Sequence, residues 1–239
     1  MSYTKTTTTI QIPSGTKYLS EVLSELPHNC IFDKGMTGCG GSTIAINSSY
    51  PTIIAVPFTS LIENKSYQHP NLIPVYGDDS VITNTEILRQ LSTPSTHPAK
   101  IMTTYDSLPR VISCIESAGH NISEYNLLVD EYHLLFTQYS FRETAVSGVL
   151  SSFTHFRSYC FMTATQLEPD FILQELENID IVVANWEESR EIIVTSSYCS
   201  CGADKAAVEL INRFITGEET GNAYIFVNSV SLIKKLVRA

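Results

Sequence analysis

The sequence lacks the features that would place it in a membrane or in an oxidising compartment. No apolar run approaches the roughly 18 residues that span a bilayer, and the N-terminal segment has no apolar core of the secretory kind. The six cysteines are scattered without C-x-x-C spacing, which predicts reduced thiols rather than disulfides or a zinc site. We therefore expect a cytoplasmic protein (in the host cytoplasm, if viral) with no membrane partner.

Positive charge is also scarce. The chain has 15 lysine and arginine residues against 25 aspartate and glutamate residues, a formal net charge of −10. This balance excludes a broad basic surface for non-specific nucleic-acid binding. Any nucleic acid must be held by a local groove or by parts outside this chain. The hydrophobic content of 43% is nevertheless sufficient to bury a core, which excludes wholesale disorder.

Short apolar runs alternate with helical patterns along most of the chain. The runs read as buried strands at 29–33, 52–57, 100–105, 126–131 and 158–165. The helical patterns lie at 17–26, 84–92, 107–117 and 141–152. This alternation predicts an α/β fold with a mostly parallel sheet and helices on both faces. Ligands of such sheets bind at the carboxyl ends of the strands.

A second strand–helix–strand pattern begins near Glu187. It consists of the strand-like REIIVTSSY, the amphipathic ADKAAVELINRFIT and the strand-like AYIFVNSV, followed by the start of a final helix. Two strands are too few to form a sheet that is buried in a domain of its own. We therefore interpret residues 1–186 as one domain and residues 187–239 as the first part of a second domain.

A glycine-rich turn at residues 35–43 lacks one characteristic residue. The stretch FDKGMTGCGGSTIAI fits G-x-x-x-x-G-K-[ST] from Gly35 to Ser42, except that Gly41 stands at the lysine position. Backbone N–H groups of such a turn, with a helix N-terminus, point at phosphate. The hydroxyl of Ser42 or Thr43 could bind Mg²⁺. On this motif alone, a plain structural turn is an equally good interpretation.

Two adjacent carboxylates close the apolar run NLLV. Asp130 and Glu131 are costly to bury without a cation or a role. In phosphoryl transfer, one such carboxylate can hold magnesium while the other orients the attacking water. The alternatives are an ordinary acidic turn, or a helix LVDEYHLLF with leucines in the core. The β-branched and apolar residues before Asp130 favour a strand.

Taken in order, these segments resemble the first motor domain of a superfamily 2 helicase. VDEYH (129–133) matches the D-E-x-H form of motif II, and FMTAT (161–165) is similar to the S/T-A-T of motif III. The weaker matches are residues 35–43 to motif I, 55–65 to motif Ia, TTYDSL (103–108) to the next nucleic-acid contact motif and AYIFVNSVSLIKKL to motif IV. The resemblance implies a RecA-like P-loop NTPase fold with the start of a second RecA-like domain. Within that superfamily, the resemblance points to helicase-like proteins of phages and mobile elements.

The resemblance also implies which residues bind ATP and Mg²⁺. The cofactor-binding loop residues would be Gly35, Thr37, Gly38, Cys39, Gly40, Gly41, Ser42 and Thr43. Asp130 would hold Mg²⁺ together with Ser42, and Glu131 would act on the attacking water. We interpret Cys39 as an inert small residue in preference to an oxidation site.

Further residues would link the nucleotide to nucleic acid. Those implied in coupling to the neighbouring domain are His133, Thr163 and Thr165. Those implied in contacts with the sugar–phosphate backbone of DNA or RNA are Pro57, Thr59, Thr104 and Asp106. Contacts of the second kind position a strand without reading its sequence. Trp186 could stack on a base, although a packing role is the simpler interpretation.

Gly41 departs from the family pattern, and two explanations compete. Lys34, directly before the loop, could turn its ammonium onto the phosphates, because lysine is a flexible point charge. Alternatively the site binds nucleotide weakly or not at all, and Lys34 is a solvated loop residue. The chain also ends before the late motifs that supply the transition-state arginine in this family. Little hydrolysis is therefore expected from this chain alone.

The sequence thus predicts a nucleic-acid-dependent ATPase of the helicase or translocase type. The alternative is a catalytically impaired helicase-like scaffold that binds nucleic acid or a protein partner. A P-loop kinase or transferase accounts for neither TTYDSL nor FMTAT. The first two hypotheses differ in whether Lys34 replaces the absent lysine.

Overall fold

The computed structural model describes residues 5–77, 82–93, 95–137, 143–165, 173–188 and 202–221, with residues 231, 233 and 234. The chain divides into two compact units, residues 1–189 and 190–239. The predicted strands REIIVTSSY and AYIFVNSV, and with them most of the motif IV resemblance, lie outside the described residues. The assignment of residues 187–239 to a second RecA-like domain therefore stays a prediction.

One sheet of eight strands forms the centre of the first unit, in the order β1-β8-β2-β7-β6-β3-β5-β4. The strands are β1 (Thr7–Ile12), β2 (Cys30–Asp33), β3 (Thr52–Val56), β4 (Leu72–Val75), β5 (Lys100–Thr104), β6 (Asn126–Asp130), β7 (Ser158–Thr163) and β8 (Asp180–Trp186). Every pairing between neighbouring strands is parallel. The predicted α/β fold with a mostly parallel sheet is confirmed.

The helices of the first unit connect these strands. They are α1 (Gly41–Asn47), α2 (Thr59–Gln68), α3 (Asn84–Ser92), α4 (Leu108–Ser117), α5 (His133–Thr137) and α6 (Glu143–Ser152). Helix α7 (Ala203–Thr216) belongs to the second unit, at the position that the sequence predicts. Within the described residues, no helix is long and apolar enough to span a bilayer.

The central strands are buried on both faces, which explains their continuous apolar composition. Successive side chains of a strand point to opposite faces. Ile53, Leu127 and Phe161 therefore pack with α3, α4 and α6 in one core. Their neighbours Leu128 and Met162 pack with α1 and α2 in the other. Each such side chain contributes on the order of 1.5–3 kcal/mol by its burial, so the two cores hold helices on both faces of the sheet.

The predicted helix at 17–26 is wrong. Only Leu19–Glu21 is helical there, as a single 3-10 turn. The backbone N–H of Leu19 donates to the carbonyl oxygen of Cys39 at 2.9 Å, and Glu21 Oε1 accepts from the N–H of Tyr18 at 2.7 Å. The first contact ties the segment to the glycine-rich loop, and the second caps the single turn. Leu19 is the one buried side chain of residues 17–26, so the segment has no apolar face to pack as a longer helix.

Three strands were not predicted, and two of them are the edges of the sheet. β1 is rich in threonine and mostly exposed, so it shows no continuous apolar run. β4 contains Pro74, which an edge strand tolerates because proline cannot donate to a ladder hydrogen bond. β8 lies between β1 and β2, and only Ala184 among its residues is fully buried.

Candidate functional site

The strand order brings three of the predicted motifs together at the carboxyl ends of neighbouring strands. β2, β7 and β6 are neighbours, and their carboxyl ends carry Asp33, Thr163 and Asp130. The backbone N–H of Lys34 continues the ladder by donating to the carbonyl oxygen of Thr163 at 2.8 Å. The glycine-rich loop after β2 therefore begins directly beside the two carboxylates that follow β6.

Lys34 is buried among those carboxylates. Its ammonium lies 2.8 Å from Glu131 Oε1 and 3.2 Å from Asp130 Oδ1. Burial alone lowers the pKa of Lys34, but the charges and hydrogen bonds of Asp130 and Glu131 outweigh burial and raise it above its ordinary value. The side chain is thus a charged ammonium at neutral pH, and the interpretation of Lys34 as a solvated loop residue is wrong.

A side chain at the lysine position of the loop would displace the end of the Met162 side chain. A Cβ added to Gly41 would lie 2.5 Å from Met162 Sδ and 2.8 Å from Met162 Cε. The same Cβ would lie 3.9 Å from Cδ of Lys34. Contacts below 3.0 Å require a neighbour to move, and Met162 is fully buried. Glycine at this position and lysine at position 34 therefore belong to one packing arrangement.

Hydrogen bonds from two strands hold the start of the loop. Asp33 Oδ1 accepts from the N–H of Gly35 at 2.8 Å, and the indole N–H of Trp186 donates to the carbonyl oxygen of Lys34 at 2.9 Å. Gly35 has a φ of +67°, and a Cβ there would lie 2.8 Å from the carbonyl oxygen of Ala184. Trp186, at the end of β8, consequently packs on the loop and also fixes its backbone.

The hydroxyls at the start of α1 reach two different charged groups. Ser42 Oγ donates to Asp130 Oδ2 at 2.7 Å. Thr43 Oγ1 accepts from the ammonium of Lys65, on α2, at 3.1 Å. The first contact brings together the two residues that the sequence predicts as Mg²⁺ ligands. The second involves Lys65, the last residue of the segment 55–65 that resembles motif Ia, for which the sequence named no individual role.

The oxygens of Ser42 and Asp130 fit the chemistry of a magnesium site. Mg²⁺ prefers oxygen ligands, and in nucleotide sites it is held by one or two protein oxygens together with phosphate and water. In the part of the chain that the structure describes, no group of three or more His, Cys, Asp or Glu side chains could hold a metal by itself. A magnesium ion here would need oxygens from a bound phosphate.

Glu131 has a strained backbone, and the surrounding side chains hold it in place. Its φ of 54° lies in the left-handed region, which is uncommon for residues other than glycine. The buried hydroxyl of Tyr105 donates to the carbonyl oxygens of Asp130 and Glu131, at 2.5 and 3.2 Å. The backbone N–H of Glu131 donates to Asp130 Oδ1 at 3.0 Å. Tyr105 lies within the segment that resembles a nucleic-acid contact motif, but the sequence did not identify it as a support.

The three predicted coupling residues lie together. His133 Nδ1 is 2.8 Å from Thr163 Oγ1 and 3.4 Å from Glu131 Oε2. The backbone N–H of Thr165 donates to Thr163 Oγ1 at 3.0 Å. A continuous chain of polar contacts therefore runs from Lys34 through Glu131 and His133 to the end of β7.

The predicted nucleic-acid contacts follow β3 and β5, further along the same edge of the sheet. Thr59 and Asp106 have exposed side chains, whereas Pro57 and Thr104 are buried. The hydroxyl of Thr104 donates to Ser107 Oγ at 3.1 Å, within the fold. Of the four residues, Thr59 and Asp106 are the ones that a ligand on the surface could reach.

A cavity of 430 Å³ lies over the loop. This volume is within the range of small-molecule sites. The cavity is lined by Tyr18, Ser20, Lys34, Gly38, Cys39, Gly40, Gly41, Ser42, Thr43 and Lys65. Tyr18 is 42% exposed, and the ammonium of Lys17 lies 5.1 Å from the centroid of its ring. Tyr18 and Lys65 were not predicted, because their proximity to the loop depends on tertiary packing.

Cys39 lies in this loop but is poorly suited to reactivity. It is buried, and its thiol donates to the carbonyl oxygen of Met36 at 3.0 Å. Burial raises the pKa of the Cys39 thiol, although the charge of Lys34 opposes the shift. The reactive thiolate is therefore disfavoured at neutral pH.

Comparison with known proteins identifies a similar structure but no related sequence. No protein-family model and no curated protein matches the chain. Among solved structures, the chain is similar to the DUF1998 helicase MrfA bound to DNA and AMPPNP, with a TM-score of 0.56, 12% identity and 94% of this chain covered. The chain spans about a third of that helicase, 34% of its length. At this identity the similarity shows the fold alone, and it confirms the predicted RecA-like architecture.

Proposed function

We propose that this chain is the nucleotide-binding part of a nucleic-acid-dependent ATPase of the helicase or translocase type. The observation that carries the proposal is the cluster of Lys34, Asp130, Glu131 and Ser42 beside a cavity large enough for a nucleotide. The similar helicase was solved with DNA and AMPPNP, which supports the same ligand classes here. In this proposal residues 187–239 begin a second RecA-like domain.

Lys34 carries the positive charge that Gly41 cannot supply. Lys34 is among the residues that line the cavity, and its side chain is already desolvated, so a phosphate within its reach would be attracted more strongly than by a surface lysine. Lys34 is shared between two carboxylates. We expect it to turn from them to the β- and γ-phosphates of ATP. A bound Mg²⁺, held by Ser42 and Asp130, would neutralise charge on the phosphates.

Glu131 would orient the attacking water and accept its proton. Its Oε1 faces Lys34 and its Oε2 faces His133, so both oxygens are held in fixed directions. Through its contact with Thr163, His133 would couple changes in the bound nucleotide to Thr163 and Thr165. Thr59 and Asp106 would lie next to a nucleic-acid backbone at the ends of the neighbouring strands.

The alternative function is a scaffold that binds nucleic acid or a protein without efficient hydrolysis. The observation that favours it is the ion pair between Lys34 and Glu131, which occupies the carboxylate that would act on water. If Lys34 remains on Glu131 after ATP binds, Glu131 cannot serve as the base. The two functions therefore differ in what Lys34 contacts in the bound state.

Calorimetric titration of ATP with Mg²⁺ into the chain and into Lys34→Ala tests the proposal. We expect the substitution to weaken binding at least tenfold, which is about 1.4 kcal/mol. Lys5→Ala is the matched control, because Lys5 carries the same charge and precedes β1. It therefore lies at the amino ends of the strands, whereas the cavity lies at their carboxyl ends. Equal binding by Lys34→Ala and the unsubstituted chain would remove Lys34 from the mechanism. No binding by the folded, unsubstituted chain would favour the scaffold.

A further inference from the structure

Lys65 is a second lysine in the wall of the same cavity. It lies on α2, its side chain is half-buried, and its ammonium is 3.1 Å from Thr43 Oγ1. Thr43 belongs to the glycine-rich loop and helix α1, whereas Lys65 comes from the next strand–helix unit. The cavity is therefore lined by ammonium groups from two separate elements, Lys34 before the loop and Lys65 from α2.

The two lysines differ in how their charge is balanced. Lys34 lies between two carboxylates, at 2.8 and 3.2 Å. Among the residues that the structure describes, no carboxylate lies within ion-pair distance of Lys65, and its ammonium contacts a neutral hydroxyl. A partly desolvated ammonium without a counter-ion is unfavourable, and an anion in the cavity would relieve that cost. Of the two lysines in the cavity wall, Lys65 is thus the one whose charge is not already balanced by a carboxylate.

Helix geometry explains why Lys65 points at the loop instead of into solvent. Ile62 is the fully buried residue of α2, and Lys65 follows it by three positions. Residues three apart share one face of a helix, so the stem of Lys65 leaves the face that packs on the core. Its carbonyl oxygen accepts from the N–H of His69 at 2.8 Å, which closes the helix one turn later. The position of the ammonium follows from the packing of α2.

We propose that Lys65 binds the polyphosphate of the nucleotide, so that the ligand lies between two lysines from different elements. This inference rests on the proposed ATP site and adds to it a binding residue and a charge requirement. Two ammonium groups on one cavity select a chain of phosphates over a single phosphate or a nucleoside, because each added phosphate brings negative charge within their reach. The affinity should therefore depend on phosphate number, and Lys65 should contribute to that dependence.

Titration of ATP, ADP and AMP, each with Mg²⁺, into the full chain and into Lys65→Ala tests the inference. We expect Lys65→Ala to weaken ATP binding about tenfold, ADP binding less and AMP binding least, since the lost attraction scales with the phosphate charge. Lys65→Arg keeps the charge and should retain most of the affinity. Lys5→Ala removes the same charge elsewhere and should leave all three affinities unchanged. Thermal unfolding checks that each variant is folded.

The outcomes separate this inference from the proposed function. ATP binding by the unsubstituted chain with equal affinity in Lys65→Ala would overturn the role of Lys65 and leave the ATP site in place. An equal loss for ATP and AMP would also overturn it, because a disturbed helix α2 has no dependence on phosphate number. Unchanged ATP binding with weaker binding of a single-stranded oligonucleotide would assign Lys65 to nucleic acid instead. No ATP binding by the folded, unsubstituted chain would overturn both proposals.

Discussion

Met162 fills the space in which a side chain at position 41 would begin, because a Cβ added to Gly41 would lie 2.5 Å from Met162 Sδ. Met162 directly precedes Thr163 in β7, and a side chain at position 41 would require the end of the Met162 side chain to move. Met162 is fully buried between the sheet and α1, so it cannot move aside freely. A side chain at position 41 would also begin 3.9 Å from Cδ of Lys34, so it would lie between Met162 and that lysine.

Moving the lysine back into the loop should fail unless Met162 is made smaller. In the Lys34→Ala background, we expect Gly41→Lys alone to leave ATP binding weak and to lower the free energy of unfolding by about 1–3 kcal/mol through overpacking. Adding Met162→Ala makes room for the new stem and should recover part of both quantities. Calorimetry and urea denaturation measure them. Full recovery by Gly41→Lys without a change at Met162 would contradict the packing argument.

Trp186 should act on ATP binding through Lys34. Trp186→Phe keeps an aromatic ring but removes the N–H that binds the carbonyl oxygen of Lys34. The N–H of Met36 also donates to that oxygen, at 2.8 Å, so the oxygen keeps a partner and the fold should persist. We expect ATP affinity to fall about two- to tenfold, the value of one hydrogen bond.

The double variant distinguishes positioning from general packing. If Trp186 works by placing Lys34, then Trp186→Phe should have no further effect on ATP affinity in the Lys34→Ala background. Additive losses in the double variant would show that Trp186 acts independently of Lys34. Thermal unfolding of the four proteins in the cycle supplies the comparison of stability.

Tyr105 should support both the stability of the fold and the activity. Tyr105→Phe removes the hydroxyl that binds the carbonyl oxygens of Asp130 and Glu131, next to a strained backbone. We expect the free energy of unfolding to fall by about 1–3 kcal/mol. Under the proposed function, the rate of ATP hydrolysis should fall more than the ATP affinity, because Glu131 is the residue displaced. Tyr67→Phe is the matched control, since Tyr67 is 91% exposed. An equal effect of the two substitutions on unfolding would refute the support by Tyr105.

Lys100 should make the stability of the fold depend on alkaline pH. Burial lowers the pKa of Lys100 to about 8 from 10.5, against the attraction of Glu25. Between pH 8 and 10.5 the unfolded chain therefore binds more protons than the folded chain, and stability rises with pH. The rise is at most about 3 kcal/mol. Its ammonium donates to the carbonyl oxygens of Ser48 and Tyr50 at the amino edge of the sheet, away from the nucleotide cavity.

Urea denaturation at pH 7 to 10.5 measures this effect in the unsubstituted chain and in Lys100→Met, which keeps a similar stem. We expect the unfolding free energy of the unsubstituted chain to increase relative to that of Lys100→Met as the pH rises. Other groups that titrate in this range are common to both proteins and cancel. Parallel curves over the whole range would show that the pKa of Lys100 is not lowered.

The central part of the fold could be predicted because each of its strands has a recognisable pattern within a short stretch of sequence. Strands β2, β3, β5, β6 and β7 are buried on both faces, so each appears as a continuous apolar run. The edge strands carry no such signal, because one face or one edge is exposed. The threonines of β1 and the proline of β4 fit a strand only when the neighbouring strand is known.

The candidate site could be predicted only in part for a similar reason. Asp130, Glu131, Ser42 and the loop glycines belong to motifs with fixed spacing, and the structure brings them together. Lys34 had two open interpretations, and its burial among carboxylates excludes that of a solvated loop residue. Tyr18, Lys65 and Trp186 are separated from the loop in sequence, and their contacts arise from the packing of other elements. No spacing rule contains that information.

The packing of Gly41 against Met162 also limits how this loop could have arisen. A chain with lysine in the loop and a chain with lysine before it differ at three positions, 34, 41 and 162, which depend on one another. Replacing Lys34 alone removes the lysine that the described residues place at the carboxylates, and adding a side chain at 41 alone displaces Met162, whereas a smaller residue at 162 does neither. An evolutionary path between the two arrangements must therefore begin with a smaller residue at 162, or pass through an ancestor that carries both lysines and binds nucleotide with either.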